Sequence, residues 1–124
     1  MTRVLLDTHV LIWWDEGQRL SAAARQAIQE AEAVYVSAAS AWEIAIKIAL
    51  GRLRPSRTVH QAAADSGFLE LPITFAHAER VASLPPHHRD PFDRMLVAQA
   101  QVEELVLVTR DRAFGPYGCR VIGA

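Results

Sequence analysis

Short, uninterrupted apolar runs separated by helix-length stretches constrain this chain more than any other feature. Val4, Leu5 and Leu6 form the first run, Val34, Tyr35 and Val36 the second, and Val106, Leu107 and Val108 the clearest one. Runs of this length without polar interruption read as strands buried on both faces. Strands that alternate with helices indicate an α/β fold with a mainly parallel central sheet covered on both sides. Ligands of such sheets bind beyond the carboxyl ends of the strands. Asp7 and Asp111 follow apolar runs at that edge.

The helices are announced by their ends. The stretch 9–14 reads as a short helix after Asp7, and Ser21 is a plausible N-cap for a helix to about Ala31. Residues 37–39 lead into a strongly helical segment, 40–50, with Gly51 at its C-cap. A weaker helix is expected over 59–66, a strand near 68–71, and another helix over 75–83. Asp90 followed by Pro91 is a strong helix start, with Asp90 as N-cap and Asp93 at the third position, and the helix is expected to reach about Val102. A short helix after Asp111 and a last strand over 120–122 complete the pattern.

The chain has 124 residues, 51% of them apolar, enough for one continuous core, and one domain spanning 1–124 is expected. No apolar stretch approaches the ~18 residues of a membrane span. Asp7 and His9 interrupt any signal-like N-terminal run, so a cytoplasmic location is expected. The single cysteine, Cys119, lacks zinc-ligand spacing and reads as a packing residue. A net charge of −1 is unlike a domain that holds nucleic acid by bulk positive charge. Twelve of the 13 basic residues are arginine, a bias that suits bidentate phosphate contacts and equally reflects a GC-rich genome.

Converging carboxylates repel one another unless a cation neutralises them, and hard oxygen ligands select magnesium, calcium or manganese over zinc. Such a site suits phosphodiester hydrolysis, with metal ions set against the scissile phosphate. Each acid also has a structural explanation. Asp7 fits a turn or helix cap, Glu43 an i,i+4 pair with Lys47, Asp93 a helix-dipole contact, and Asp111 the cap of a short helix. Only the set carries the chemical reading.

That set has a family resemblance. The segments LLDTHVLIWW, VSAASAWEIAIK, DPFDRMLVAQA and LVTRD, in this order, resemble the four acidic motifs of PIN-domain proteins, most closely VapC-like toxins of toxin–antitoxin pairs. The resemblance covers essentially the full length. It implies a PIN-like three-layer α/β/α sandwich and an endoribonuclease dependent on Mg2+ or Mn2+. It places the metal-holding acids at Asp7, Glu43, Asp93 and Asp111, with Thr109 supporting the site. It further implies an RNA substrate leaving 3′-hydroxyl and 5′-phosphate ends, a homodimer, and a cognate antitoxin whose C-terminal segment blocks the acidic cleft.

Thr8 and Ser40 fit carboxylate orientation or helix capping. Lys47 fits a phosphate or acid contact as well as surface pairing, whereas Arg94 is expected to pair on the surface. Asp90 is assigned to capping. His9 is read as helix packing, His87 and His88 as surface, and Trp13, Trp14 and Trp42 as core or dimer packing. The rival functions are a catalytically silent PIN-fold module that binds RNA or protein, and another phosphoryl-transfer enzyme. A haloacid-dehalogenase-type phosphatase requires two aspartates flanking one residue after the first strand, where this chain has Asp7, Thr8 and His9. A receiver domain has no use for Glu43.

Overall fold

The computed structural model describes residues 2–17, 19–87 and 90–124, with the backbone alone at Arg112. The chain runs β1 (Arg3–Leu6), α1 (Thr8–Glu16), α2 (Ala22–Glu30), β2 (Ala33–Ser37), α3 (Ala38–Ala49), α4 (Val59–Ser66) and β3 (Leu69–Leu71). It continues through α5 (Phe75–Ala82), α6 (Pro91–Glu103), β4 (Val106–Thr109), a 3-10 turn (Arg112–Tyr117) and β5 (Val121–Gly123). Among the described residues no helix is long and apolar enough to cross a membrane.

The five strands found among the described residues form one all-parallel sheet in the order β3-β2-β1-β4-β5. Side chains alternate across a strand, so each apolar run feeds both faces. Val4, Leu6, Val34, Val36, Val106 and Val108 meet α1, α2 and α4 through Val10, Leu11, Ala24, Ile28, Val59 and Ala63. Leu5, Tyr35 and Leu107 face the other way, onto Leu96, Val97 and Ala100 of α6, Val81 of α5 and Phe114 of the 3-10 turn. The result is a three-layer α/β/α sandwich.

From the central β1 the chain moves outward through β2 to β3, then returns to place β4 on the other side of β1. The crossovers diverge between β1 and β4, which opens a crevice at the carboxyl ends of that pair. The Asp7 N–H donates to Val108 O at 3.0 Å, extending the pairing to the crevice floor.

Expected helix starts hold at Ser21, whose hydroxyl accepts from Ala24 N, and at Asp90, whose carboxylate accepts from Phe92 N and Asp93 N. The first helix runs beyond the expected 9–14, because Asp7 caps it and Gly17, at φ 72°, ends it. The third helix begins earlier than residue 40, since Ser37 is its cap and accepts from Ala39 N. Its C-cap is Leu50 rather than Gly51; Gly51 follows at φ 73°, and Arg52 N reaches back to Lys47 O. The Arg94 guanidinium also donates to the carbonyls of Val81, Leu84 and Pro85, tying the α5–α6 connection to α6. Cys119 is half-buried against the Leu107 layer, and burial pushes its thiol pKa up.

Leu107 is fully buried at the centre of β4. Leu107→Ala is expected to destabilise the protein by about 2–5 kcal/mol, read as a lowered urea midpoint with an unchanged slope.

Candidate active site

Four elements deliver acids to the crevice. Asp7 stands directly after β1 and Asp111 shortly after β4, while Glu43 projects from α3 and Asp93 from the first turn of α6. Because α6 precedes a parallel strand, its N-terminal turn lies at the same edge where β4 ends. Asp7, Glu43, Asp90, Asp93 and Asp111 line one cleft of about 320 Å³, together with His9, Trp13, Lys47 and Arg110.

Hydrogen bonds fix the inner carboxylates. Asp7 Oδ1 accepts from Thr8 N at 2.7 Å and Oδ2 from the Thr109 hydroxyl at 2.8 Å. The same Thr109 oxygen accepts from Asp111 N at 3.1 Å, so one buried hydroxyl spaces the two strand-end acids. Thr8 Oγ1 lies 2.9 Å from both Glu43 Oε1 and Ser40 Oγ. A carboxylate only accepts and a hydroxyl carries one proton. The arrangement that satisfies all three groups therefore has Thr8 donating to Glu43 and Ser40 donating to Thr8. Glu43 Oε2 accepts from Lys47 Nζ at 3.0 Å. Ser37 caps α3 and also donates to Gln99 Oε1 of α6 at 2.6 Å, which sets the helix bearing Glu43 against the helix bearing Asp93.

Burial, the largest cause, pushes the Asp7 carboxyl pKa above its ordinary value, and the charge of Glu43 pushes it further. The bonds from Thr109 and Thr8 and the proximity of His9 oppose this without cancelling it. A positive charge placed beside these two acids would favour their ionised forms. The donors are all carboxylate oxygens, which fits a hard divalent cation. Among the described residues no three His, Cys, Asp or Glu side chains stand together as a closed ligand cluster. Glu43 is engaged by Lys47, and Asp111 caps the 3-10 turn by accepting from Ala113 N at 2.9 Å.

The PIN-domain family model matches residues 4–117. The chain belongs to the PIN-domain family. This PIN domain is 38% identical to Ribonuclease VapC22 of Mycobacterium tuberculosis, over 90% of this chain and 89% of that protein. It is similar to a toxin-antitoxin complex from Klebsiella pneumoniae, with a TM-score of 0.66, 26% identity and coverage of 96% and 95%. Its fold also matches a DNA-bound VapBC from Salmonella typhimurium, with a TM-score of 0.74, 20% identity and coverage of 99% and 98%.

All four expected acids of the PIN domain reach one cleft. Thr8 and Ser40 are not caps: Asp7 and Ser37 take that role, which leaves both hydroxyls on the path to Glu43. Asp90 caps α6 as expected and also faces the cleft. His9 does pack against Trp13, with centroids 5.8 Å apart, yet it is exposed and lines the cleft. Trp14 packs on Phe68 in the core layer. Trp42 is not a core residue: it is 61% exposed, edge-on to Phe92. His87 is exposed and His88 lies outside the described residues. Sequence reading did not single out Arg110, whose guanidinium sits over Trp13. Its place between Thr109 and Asp111 was the available signal.

Asp7→Asn keeps a cap and removes a buried charge. An acid with a raised folded pKa costs stability above that pKa and costs nothing below its unfolded value. Asp7→Asn is therefore expected to melt at a higher temperature than the wild type at pH 7, with the gap closing as pH falls into the ordinary carboxylate range. Thermal denaturation across pH 4–8, a range spanning roughly the carboxylate and neutral regimes, measures this.

Proposed function

We propose that this PIN domain is an endoribonuclease of the VapC kind, hydrolysing RNA phosphodiester bonds with Asp7, Glu43, Asp93 and Asp111 as the residues that hold Mg2+ or Mn2+. The observation that supports it most strongly is the arrival of these acids, from four separate elements, at one cleft over the switch point between β1 and β4. The similarity to Ribonuclease VapC22 supplies the substrate class. Held by these acids, a divalent ion would neutralise them and would supply charge stabilisation at the scissile phosphate and activation of water.

The chain's own groups hold this arrangement ready. Thr109 keeps Asp7 and Asp111 in register, Thr8 and Ser40 aim Glu43, and Lys47 balances the charge of Glu43 from the open side of the cleft. Positions fixed in advance raise catalytic efficiency because little reorganisation accompanies the reaction.

The partner we propose is a small antitoxin with a basic segment that enters the cleft and replaces the cation's charge, as charge-assisted contacts to carboxylates allow. The Klebsiella pneumoniae relative is a toxin-antitoxin complex. A homodimer is proposed on the exposed apolar stripe along α3 and its C-cap, where Trp42, Ile46 and Leu50 recur at every fourth position and leave a face to be covered. We place the activity in the cytoplasm with its RNA.

Wild-type chain is expected to cut a fluorogenic RNA with Mg2+ or Mn2+, to stop with EDTA, and to leave 5′-phosphate ends. Asp7→Asn should fall to background while retaining its fold by circular dichroism. Undiminished cleavage by that variant refutes the acid assignment, and RNA binding without cleavage at any metal concentration favours the silent module. Co-expression with the neighbouring small gene should yield a co-purifying complex that is inactive until the partner is removed.

A further inference from the structure

The lining of the acidic cleft also includes groups of different chemistry, Trp13 and Arg110. The Arg110 guanidinium carbon lies 4.0 Å from the centroid of the Trp13 ring, a close cation–π stack. Arg110 Nη2 donates to Ala124 O at 3.1 Å and also to Arg19 O, so main-chain carbonyls hold the guanidinium in place. Neither Nη1 nor Nε of Arg110 has a protein acceptor among the described residues. Both Trp13 and Arg110 line the cleft with the acids, and Arg110 is exposed.

We propose that the Arg110–Trp13 pair is a stacking subsite for an unpaired nucleobase of the RNA, beside the phosphate that the acids take; this rests on the ribonuclease reading above. Guanidinium planes and indole rings are the surfaces on which splayed RNA bases stack. A guanidinium sandwiched between an indole and a base completes a three-layer stack, and its Nη1 and Nε donors reach acceptors on that base or its phosphate. Because backbone carbonyls fix the group beforehand, little side-chain freedom is lost when RNA arrives. A base inside a duplex is already stacked on both sides, so the subsite selects single-stranded RNA at the cut. The same cleft position favours RNA over a protein ligand, since any phosphate delivered to the acids brings its adjacent nucleotides to these groups.

The test uses a fluorescent, unstructured RNA with one mapped cut site, and full-length Asp7→Asn protein in Mg2+ as the binding form. Single abasic nucleotides are scanned through the RNA and affinity is read by anisotropy. Loss of the base at one or two positions beside the cut should weaken binding about tenfold, the scale of one base stack. Arg110→Lys in the same background keeps the charge and loses the plane. It should weaken intact RNA about tenfold and flatten the abasic scan. A flat scan with native Arg110 overturns the proposal whether or not the lysine variant folds, and so does an unchanged scan in Arg110→Lys. Release of a co-purifying protein partner by Arg110→Lys, with RNA binding intact, also overturns it. If wild-type protein neither cuts nor binds RNA, the ribonuclease reading fails and the subsite with it; if the wild type cuts and only the scan is flat, the subsite alone fails.

Discussion

The parallel pairing of β1 with β4 is the constraint on which the rest of the structure depends. It sets Leu6 beside Val108, so that the next residues, Asp7 and Thr109, emerge together at the sheet's edge. Thr109 then converts adjacency into geometry, because its hydroxyl donates to Asp7 and accepts from the backbone of Asp111. If the strands slipped by one residue, every side chain would exchange faces and both core layers would be lost with the site. The apolar runs that build the core therefore also hold two acids in position.

The outer half of the cleft depends on helices, and they are positioned by buried polar links. Ser37 both ends β2 and begins α3, while its bond to Gln99 ties that junction to α6. Gln99 is fully buried. Such polar bridges confer direction that hydrophobic packing lacks, because packing tolerates sliding and a hydrogen bond does not. Glu43 and Asp93, distant in the chain, inherit their approach from this link.

Much of the fold was legible because its determinants are local. Continuous apolar runs revealed β1, β2 and β4, and Ser21, Asp90 and Pro91 marked helix starts through the chemistry of their own side chains. The beginning of α3 was misplaced because Ser37 and Ser40 are equally good caps by composition, and the folded backbone distinguishes them: Ser37 accepts from Ala39 N, whereas the Ser40 hydroxyl bonds Thr8. Cleft membership of the acids followed from strand ends and helix starts together with the family motifs. Arg94 and Arg110 were opaque for a different reason. Both donate to main-chain carbonyls brought near by tertiary folding, and a carbonyl leaves no trace in composition. For Trp42, read as core or dimer packing, the 61% exposure excludes the core alternative, and an apolar neighbourhood in sequence does not reveal which helix face a residue occupies.

Asp7, Asp90 and Asp111 each serve as a helix cap while facing the cleft. Silencing and loosening are therefore separable by residue choice. Asparagine caps nearly as well as aspartate, so it disarms the cleft and leaves the helix starts intact, whereas alanine at the same position removes the charge and unravels the first turn. A lineage shedding the chemistry while retaining the scaffold has an open route through amidated side chains, and its descendants would keep the outline of the cleft without its charge.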